Sequence, residues 1–432
     1  MIDIIHSSET ERAALKLEAI RNRNVVLNAE LLREVAAIIR DVRERGDASL
    51  IDFAERFDGR VMTVADLKVG PDVLREIASR AEAPVVGALR EAIKRVRAFH
   101  EFERQSSWEV TTENGVRLGQ RIAPIECAGM YVPGGTAAYP SSVVMNIVPA
   151  QIAGVDRIVV ATPARALEQN PAVAAALVEL GITEVYAVGG AQAIAALAFG
   201  TETIPRVDKI TGPGNKYVAA AKKLVFGVVG IDSIAGPSEV VIIADDSAQA
   251  SFVASDLLAQ AEHGEDASAV LITTSTILAA RVSAELKRQT RTLPRAELIE
   301  KSLASFGAII VVADLDEACR LADDLAPEHL EIMAPDADDI AARVRHAGAI
   351  FFGEQTPEAV GDYLAGPNHV LPTGGTARFS SALGVYDFVK RTSLLRFSSS
   401  ELRNTAPLIA ALARAEGLEA HARSVLLRLE DD

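Results

Sequence analysis

The stretch RIVVATPARALEQNPAVAAALVELGITEVYAVGGAQAIAALA, residues 157–198, sets the class of fold. Arg157–Ala161 and Glu184–Val188 are short β-branched runs, each followed by an alanine-rich run of helical length, Ala172–Leu180 and Ala191–Ala198. Short apolar runs bounded by turn residues read as buried strands, and strand–helix–strand is the crossover that joins parallel strands. The texture continues with strands predicted at Val240–Ala244, Ala269–Thr273 and Ala308–Val312 and helices at Lys216–Val225 and Ser247–Glu262. This many units predicts an α/β protein of two lobes with parallel sheets. Upstream, residues 27–105 read as a helical cap or arm: Leu31, Leu32, Val35, Ile38, Ile39 and Val42 recur at helical spacing, as do Leu89, Ile93, Val96 and Phe99. Downstream, Ala406–Leu427 reads as a helical tail.

Composition excludes several classes of function. The 432 residues are 49% hydrophobic and 24% charged, enough to bury a large core in more than one lobe. A formal charge of -15 with no basic run argues against nucleic acid or an anionic membrane as partner. No apolar stretch has the length of a membrane span, and the opening MIDIIHSSETERAALK lacks the apolar core of a signal peptide. With two cysteines, Cys127 and Cys319, a reducing cytoplasm is the expected compartment and a small molecule the expected partner.

Five of the seven histidines lie beyond residue 260, and four of these sit among carboxylates or amides. Gln260 and His263 end an apolar helix on one face, with Gly264 as the stop, so an amide oxygen and an imidazole can grip one ion. Seen in isolation, the pair also fits a capped, solvated helix end. Glu328 and His329 follow Pro327; adjacent side chains diverge, which suits two proton-transfer tasks better than one chelate. Asp362 and His369 lie in GDYLAGPNH, where glycines and proline favour a site-forming loop, although a turn-capping Asp fits equally. Glu416 and His421 alone read as exposed residues of a solvated helix, and His346 reads as structural. Four glycine-rich turns, Tyr131–Gly135, Val188–Gln192, Thr211–Asn215 and Ala235–Ser238, permit close approach of phosphates to backbone N–H groups. Gly212-Pro-Gly214 lacks the third glycine of the dinucleotide fingerprint, so these turns also fit ordinary strand–helix joints.

The segments YVPGGTAAYPSSVVMN, GGAQAIAALAFGT, KITGPGNKYV, AGPSEV, DLLAQAEHG, APEHLEI, GDYLAGPNHVLPT and SSALGVYDFVKRTS together resemble histidinol dehydrogenase over nearly the whole chain. The resemblance implies zinc ligands at Gln260, His263, Asp362 and His421, and a catalytic pair at Glu328 and His329. It implies substrate contacts at Ser238, Gln260, His263, His329, Asp362, His369, Glu416 and His421, and NAD contacts at Tyr131, Gln192 and Asn215. It further implies a homodimer of two incomplete Rossmann-like lobes with small terminal arms, the C-terminal tail completing the partner's site. On that architecture residues 1–24 form an N-terminal arm, 25–130 with 239–383 one large lobe, 131–238 an NAD-binding lobe, and 384–432 a helical tail.

The implied activity is oxidation of L-histidinol to L-histidine with two NAD, through a bound aldehyde, in histidine biosynthesis. His329 is then the general base, because a reference imidazole titrates near working pH, and Glu328 activates the water that adds to the aldehyde. The borderline N/O donor set suits zinc, with manganese or cobalt as substitutes, in the role of substrate anchor. Three alternatives stand beside this reading: a covalent route through Cys127 or Cys319, a related dehydrogenase with another hydroxylated substrate, and a non-catalytic metal- or nucleotide-binding protein. Both cysteines read as structural, Cys319 in an acidic helix and Cys127 in an apolar strand-like run.

Overall fold

The structure is a computed structural model that describes residues 2–23, 27–134 and 139–429. It divides into two units, Met1–Glu103 with Glu126–Phe388, and Arg104–Ile125 with Val389–Asp432. The described strands are, in chain order, β1 (Asp3–His6), β2 (Lys68–Val69), β3 (Trp108–Thr111), β4 (Arg117–Pro124) and β5 (Cys127–Tyr131). Next come β6 (Arg157–Ala161), β7 (Glu184–Tyr186), β8 (Lys209–Thr211), β9 (Gly230–Ile231) and β10 (Glu239–Ala244). The last are β11 (Ser268–Thr273), β12 (Ala308–Val311), β13 (His329–Met333), β14 (Ala349–Phe352) and β15 (Val389–Arg396).

The larger unit holds two six-stranded sheets, ordered β1-β12-β11-β10-β13-β14 and β2-β7-β6-β5-β8-β9. Every pairing in the first is parallel; in the second only β2 runs antiparallel, against β7. If β10 and β5 are each taken as strand one, both sheets wind 3-2-1-4-5, a Rossmann order one strand short, with a stray strand on one edge. The predicted parallel α/β class is therefore the observed one. Strands of the first sheet are apolar on both faces because helices cover both. Val240, Ile242 and Ala244 face one core with Leu257, Val282 and Leu303, while Val241 and Ile243 face another with Ala322, Leu325 and Ile340.

The sheets divide the chain at places other than those expected. Helices Ala29–Arg45, Asp47–Asp58, Pro71–Ala78 and Ala83–His100 bear out the helical reading of 27–105. The first two, however, pack on the second sheet, whereas the last also touches residues 239–383 where His100 meets Asn368. Leu31, Val35, Ile39 and Val42 share one core with Ile194, Val218 and Ile210, and β5 is that sheet's central strand. The N-terminal arm is not separate either, since β1 extends the first sheet by pairing with β12.

The smaller unit is an antiparallel sheet in the order β15-β4-β3, followed by helices Ser399–Ala415 and Glu419–Leu426. The predicted single tail helix is thus two, parted at Gly417, whose φ of 75° reverses the backbone. Residues 104–125, expected in a large lobe, supply β3 and β4 here.

Candidate active site

Glu239 and His329 open the adjacent parallel strands β10 and β13, at the winding reversal of the first sheet. Ligands usually lie beyond the carboxyl ends of such strands; here the polar groups cluster at the amino ends. The chain enters β13 through Ala326, which carries φ 47° and is the one described non-glycine residue at positive φ. That turn swings Pro327 out of helix Leu315–Leu325 and delivers Glu328 and His329 buried into the sheet edge. The His329 imidazole donates from Nδ1 to the Glu239 carbonyl at 3.1 Å. Since a carbonyl only accepts, this bond fixes the tautomer and leaves Nε2 as the basic nitrogen. Burial pulls the His329 pKa down to about 4, against the pull of the nearby Asp362 carboxylate. The near-neutral pKa expected from sequence is thus displaced downward, because the apolar surroundings disfavour the imidazolium; the ring stands in its base form.

Glu328 accepts the Glu239 N–H at 3.1 Å, and its carboxyl pKa lies well above the usual range, first through burial and then through the Glu239 charge. A raised carboxyl pKa makes the deprotonated form a stronger base.

Three groups that can hold a metal converge beside this pair. Ligand atoms of His263, Glu358 and Asp362 lie within 4.8 Å of one another. Helix Ala250–Ala261 presents Gln260 and, just beyond its end, His263. The His263 Nδ1 points back to the Ala259 and Gln260 carbonyls at 3.1 and 3.3 Å, leaving Nε2 free. Gln260 is fully buried, and in the amide orientation that matches donor to acceptor its nitrogen donates to both Glu358 carboxylate oxygens, at 3.1 and 2.9 Å, which turns its oxygen away from Glu358. Asp362 lies in the short helix Glu358–Tyr363, so the predicted loop begins helically; its backbone carbonyl accepts the His369 Nδ1 proton at 2.8 Å. One imidazole, carboxylates and a buried amide oxygen suit a borderline divalent cation such as zinc.

A second layer of acids lies beneath. Glu331, two residues along β13 from His329, accepts the Glu358 N–H at 2.8 Å. Burial raises the carboxyls of both Glu331 and Asp256, Asp256 to about 6, and the neighbouring Asp256 charge raises Glu331 further. Asp256 lies one helical turn before Gln260, and Glu358 one turn before Asp362.

The second sheet presents polar groups at its carboxyl edge, following the general rule. Tyr131 ends β5, and its hydroxyl accepts the Gly190 N–H at 3.0 Å at the start of helix Gly190–Phe199, which also carries buried Gln192. Asn215 caps helix Lys216–Val225, its side-chain oxygen accepting from Tyr217 and Val218 at 3.0 and 3.2 Å. The cap uses the side-chain oxygen and leaves the amide NH2 for a ligand. Buried Lys222 pairs with Asp232, and the two grip the preceding turn: Lys222 donates to the Gly212 carbonyl at 3.0 Å and Asp232 accepts the Gly212 N–H at 2.8 Å. A cavity of about 1240 Å³ is lined by Tyr131, Gln192, Asn215, Tyr217, Phe57 and His263, so residues of both sheets border it. Of the Tyr131–Gly135 turn, Gly135 lies outside the described residues.

Ser238, Gln260, His263, Glu328, His329, Asp362 and His369 thus all belong to the larger unit, whereas Glu416 and His421 are exposed in the smaller one. Arg23, Glu239, Asp256, Glu331 and Glu358 went unread in the sequence. For Glu331 a signal existed, a charge inside an otherwise apolar strand, and for Glu239 a charge at the start of one; for Asp256 and Glu358 it was the four-residue spacing to an expected ligand. Both thiols are buried, and burial raises Cys127 to about 11 and Cys319 above its usual value, which keeps them as unreactive thiols. No helix among the described residues is long and apolar enough to cross a membrane.

Comparison with known proteins adds an independent line. The family pattern described as histidinol dehydrogenase matches residues 21–429. The chain is 54% identical over 396 residues to the histidinol dehydrogenase of Rhizobium meliloti, covering 91% of each chain. To that of Geobacillus kaustophilus it is 52% identical over 402 residues, covering 93% of this chain and 94% of the relative. The crystal structure of histidinol dehydrogenase from Elizabethkingia anophelis superposes with a TM-score of 0.92 at 33% identity, covering 100% of this chain and 98% of that one.

Proposed function

The chain belongs to the histidinol dehydrogenase family, and from that premise we propose that it carries out both oxidations of L-histidinol, to the aldehyde and on to L-histidine, with two NAD. Membership makes it an oxidoreductase acting on a CH–OH group in histidine biosynthesis. The finer reading rests above all on one observation: a tautomer-fixed, neutral imidazole, His329, stands beside a buried carboxyl, Glu328, at the edge of a three-donor cation cluster.

His329 takes the hydroxyl proton from the alcohol at Nε2 as a hydride leaves for NAD. Glu328 takes a proton from the water that adds to the aldehyde while the protonated His329 gives its proton to the aldehyde oxygen, and the imidazole so freed then deprotonates the hydrate for the second hydride transfer. Gln260, His263 and Asp362, with His421, would hold zinc, which when bound supplies a Lewis-acidic anchor for the amine and imidazole nitrogens of the substrate. Glu358 holds the Gln260 amide with its oxygen turned outward, and Ser238, His369 and Glu416 complete the substrate contacts. Tyr131, Gln192 and Asn215 would hold NAD at the carboxyl edge of the second sheet, where backbone N–H groups open a helix. The free, buried thiols fit a reducing cytoplasm.

The test is NADH formed per L-histidinol consumed by zinc-loaded protein, with histidine quantified. Two NADH with one histidine is expected; one NADH with released aldehyde would reduce the protein to a simple alcohol dehydrogenase.

We further place His421 and Glu416 in the site of a second copy of the chain, consistent with their exposure on helices of the smaller unit. Mixing an inactive His329→Asn protein with an inactive His421→Ala protein should then restore up to about a quarter of wild-type activity, because a heterodimer with both lesions in one site leaves the other intact. No recovery after confirmed subunit exchange would put both residues in one subunit's site.

A further inference from the structure

Arg23 is almost wholly buried, although it lies far in sequence from every site residue. Its guanidinium donates from Nε to the Ile20 carbonyl at 3.1 Å and from Nη1 to the Ser238 and Asp266 carbonyls, each at 3.0 Å, and its Nη2 pairs with the buried Glu239 carboxylate. A lysine cannot span these directions at once, because the planar fork of arginine alone presents five donors in a fixed array.

Glu239 in turn meets both halves of the proposed acid–base pair. Its Oε1 accepts the Glu328 N–H at 3.3 Å and the Gly374 N–H at 2.9 Å, its own N–H donates to Glu328 Oε2 at 3.1 Å, and its carbonyl receives the His329 Nδ1 proton at 3.1 Å. Glu239 and Glu328 therefore exchange hydrogen bonds across adjacent strand starts, each carboxylate taking the other's backbone N–H. Replacing a buried ion pair with apolar residues is often neutral or favourable for stability, so stability alone does not account for one here.

We propose that Arg23 and Glu239 are a positioning pair, whose buried contact sets the backbone of the Glu328–His329 dipeptide so that the Glu328 carboxylate faces the water that attacks the aldehyde. Neither residue is assigned contact with substrate. The inference rests on the reading of Glu328 given above, and the experiment keeps the two apart.

Alcohol and aldehyde oxidation are measured separately, by single turnover from L-histidinol and from L-histidinaldehyde, in zinc-loaded Glu328→Gln, Glu239→Gln, Arg23→Lys and the double variant Glu239→Gln/Glu328→Gln. Displacing a reacting group by about an ångström can cost on the order of a hundredfold, so Glu239→Gln should slow aldehyde oxidation by about ten- to a hundredfold and alcohol oxidation far less. Arg23→Lys, which keeps the buried charge and hence the fold, should show the same selectivity at smaller amplitude. The double variant should be no slower than Glu328→Gln alone, because both changes remove one function. Metal content and NAD affinity should match wild type throughout. Equal slowing of both steps, multiplied losses in the double variant, or a folded Arg23→Lys without selectivity would overturn the pair while leaving Glu328 in place. If Glu328→Gln itself shows no preference for the aldehyde step, the reading of Glu328 falls, and the positioning role with it.

Discussion

Replacing His329 with asparagine lowers both hydride transfers by about 10²–10⁴-fold, the usual contribution of a positioned general base, while the protein keeps its metal. Both steps are affected because each begins with a proton leaving an oxygen on the same carbon. The metal should be retained because the ligands proposed for it, Gln260, His263, Asp362 and His421, do not include His329, which spends Nδ1 on the Glu239 carbonyl. Asparagine can preserve a donor toward that carbonyl but supplies no basic nitrogen. Metal analysis with single-turnover rates from alcohol and from aldehyde decides the matter. Loss of zinc would make His329 a ligand, and loss of only one step would assign the other proton to a different base.

The second large effect is expected at Gly212. This residue has φ 117°, and a Cβ placed on it would lie 2.0 Å from the Tyr131 carbonyl oxygen. The obstacle is backbone, and the turn has no easy retreat, since Asp232 and Lys222 hold the Gly212 N–H and carbonyl. Gly212→Ala must displace the end of β8, the end of β5 or both, and with them Asn215 and Tyr131. The expected loss is about 3 kcal/mol or more of stability, from strain and overpacking together, and a rise of at least about tenfold in the Kd for NAD. Gly227 provides the control, because its φ is 98° yet a Cβ there meets nothing within 4 Å. Gly227→Ala should cost on the order of 1–2 kcal/mol from backbone strain alone, with NAD affinity unchanged. Thermal unfolding and NAD titration of the two variants separate the clash from the strain; equal behaviour would remove the argument for a braced cofactor turn.

Period and composition made most elements legible. Arg157–Ala161 and Lys216–Val225 have the bounds read from sequence, and the strands at 240–244, 269–273 and 308–312 differ by a residue at one end. Partnership between distant segments was not legible. Nothing in Ile4 and Ile5 announces a sheet edge beside Ile309 and Ile310, and nothing in the stripe Leu31, Val35, Ile39, Val42 names the helices it covers. The candidate site shows the same split. His263, Glu328, His329 and Asp362 were found by residue type and resemblance, whereas Glu358 and Glu239 matter through what they hold, and a hydrogen bond between residues far apart in sequence leaves no local pattern. The lowered pKa of His329 is not legible in the sequence for a related reason, since burial is a property of the surrounding elements and not of the dipeptide.

The placement of β1 also constrains the order in which the chain can be assembled during synthesis. Strands β5 to β9 are contiguous in sequence, so their sheet can close as soon as residue 231 is available. β1 is made well before its partner β12, which begins at Ala308, so it must wait, unpaired, until β10, β11 and β12 of its sheet have been made. Pairings between such distant segments are slow to form because the loop must close before any contact rewards it. Arg23 follows directly on this segment and meets Glu239 only once β10 exists. A nascent chain arrested between the two sheets would therefore hold the edge proposed for NAD without the proposed acid–base pair, and on that reading the ability to bind dinucleotide should precede the ability to oxidise anything.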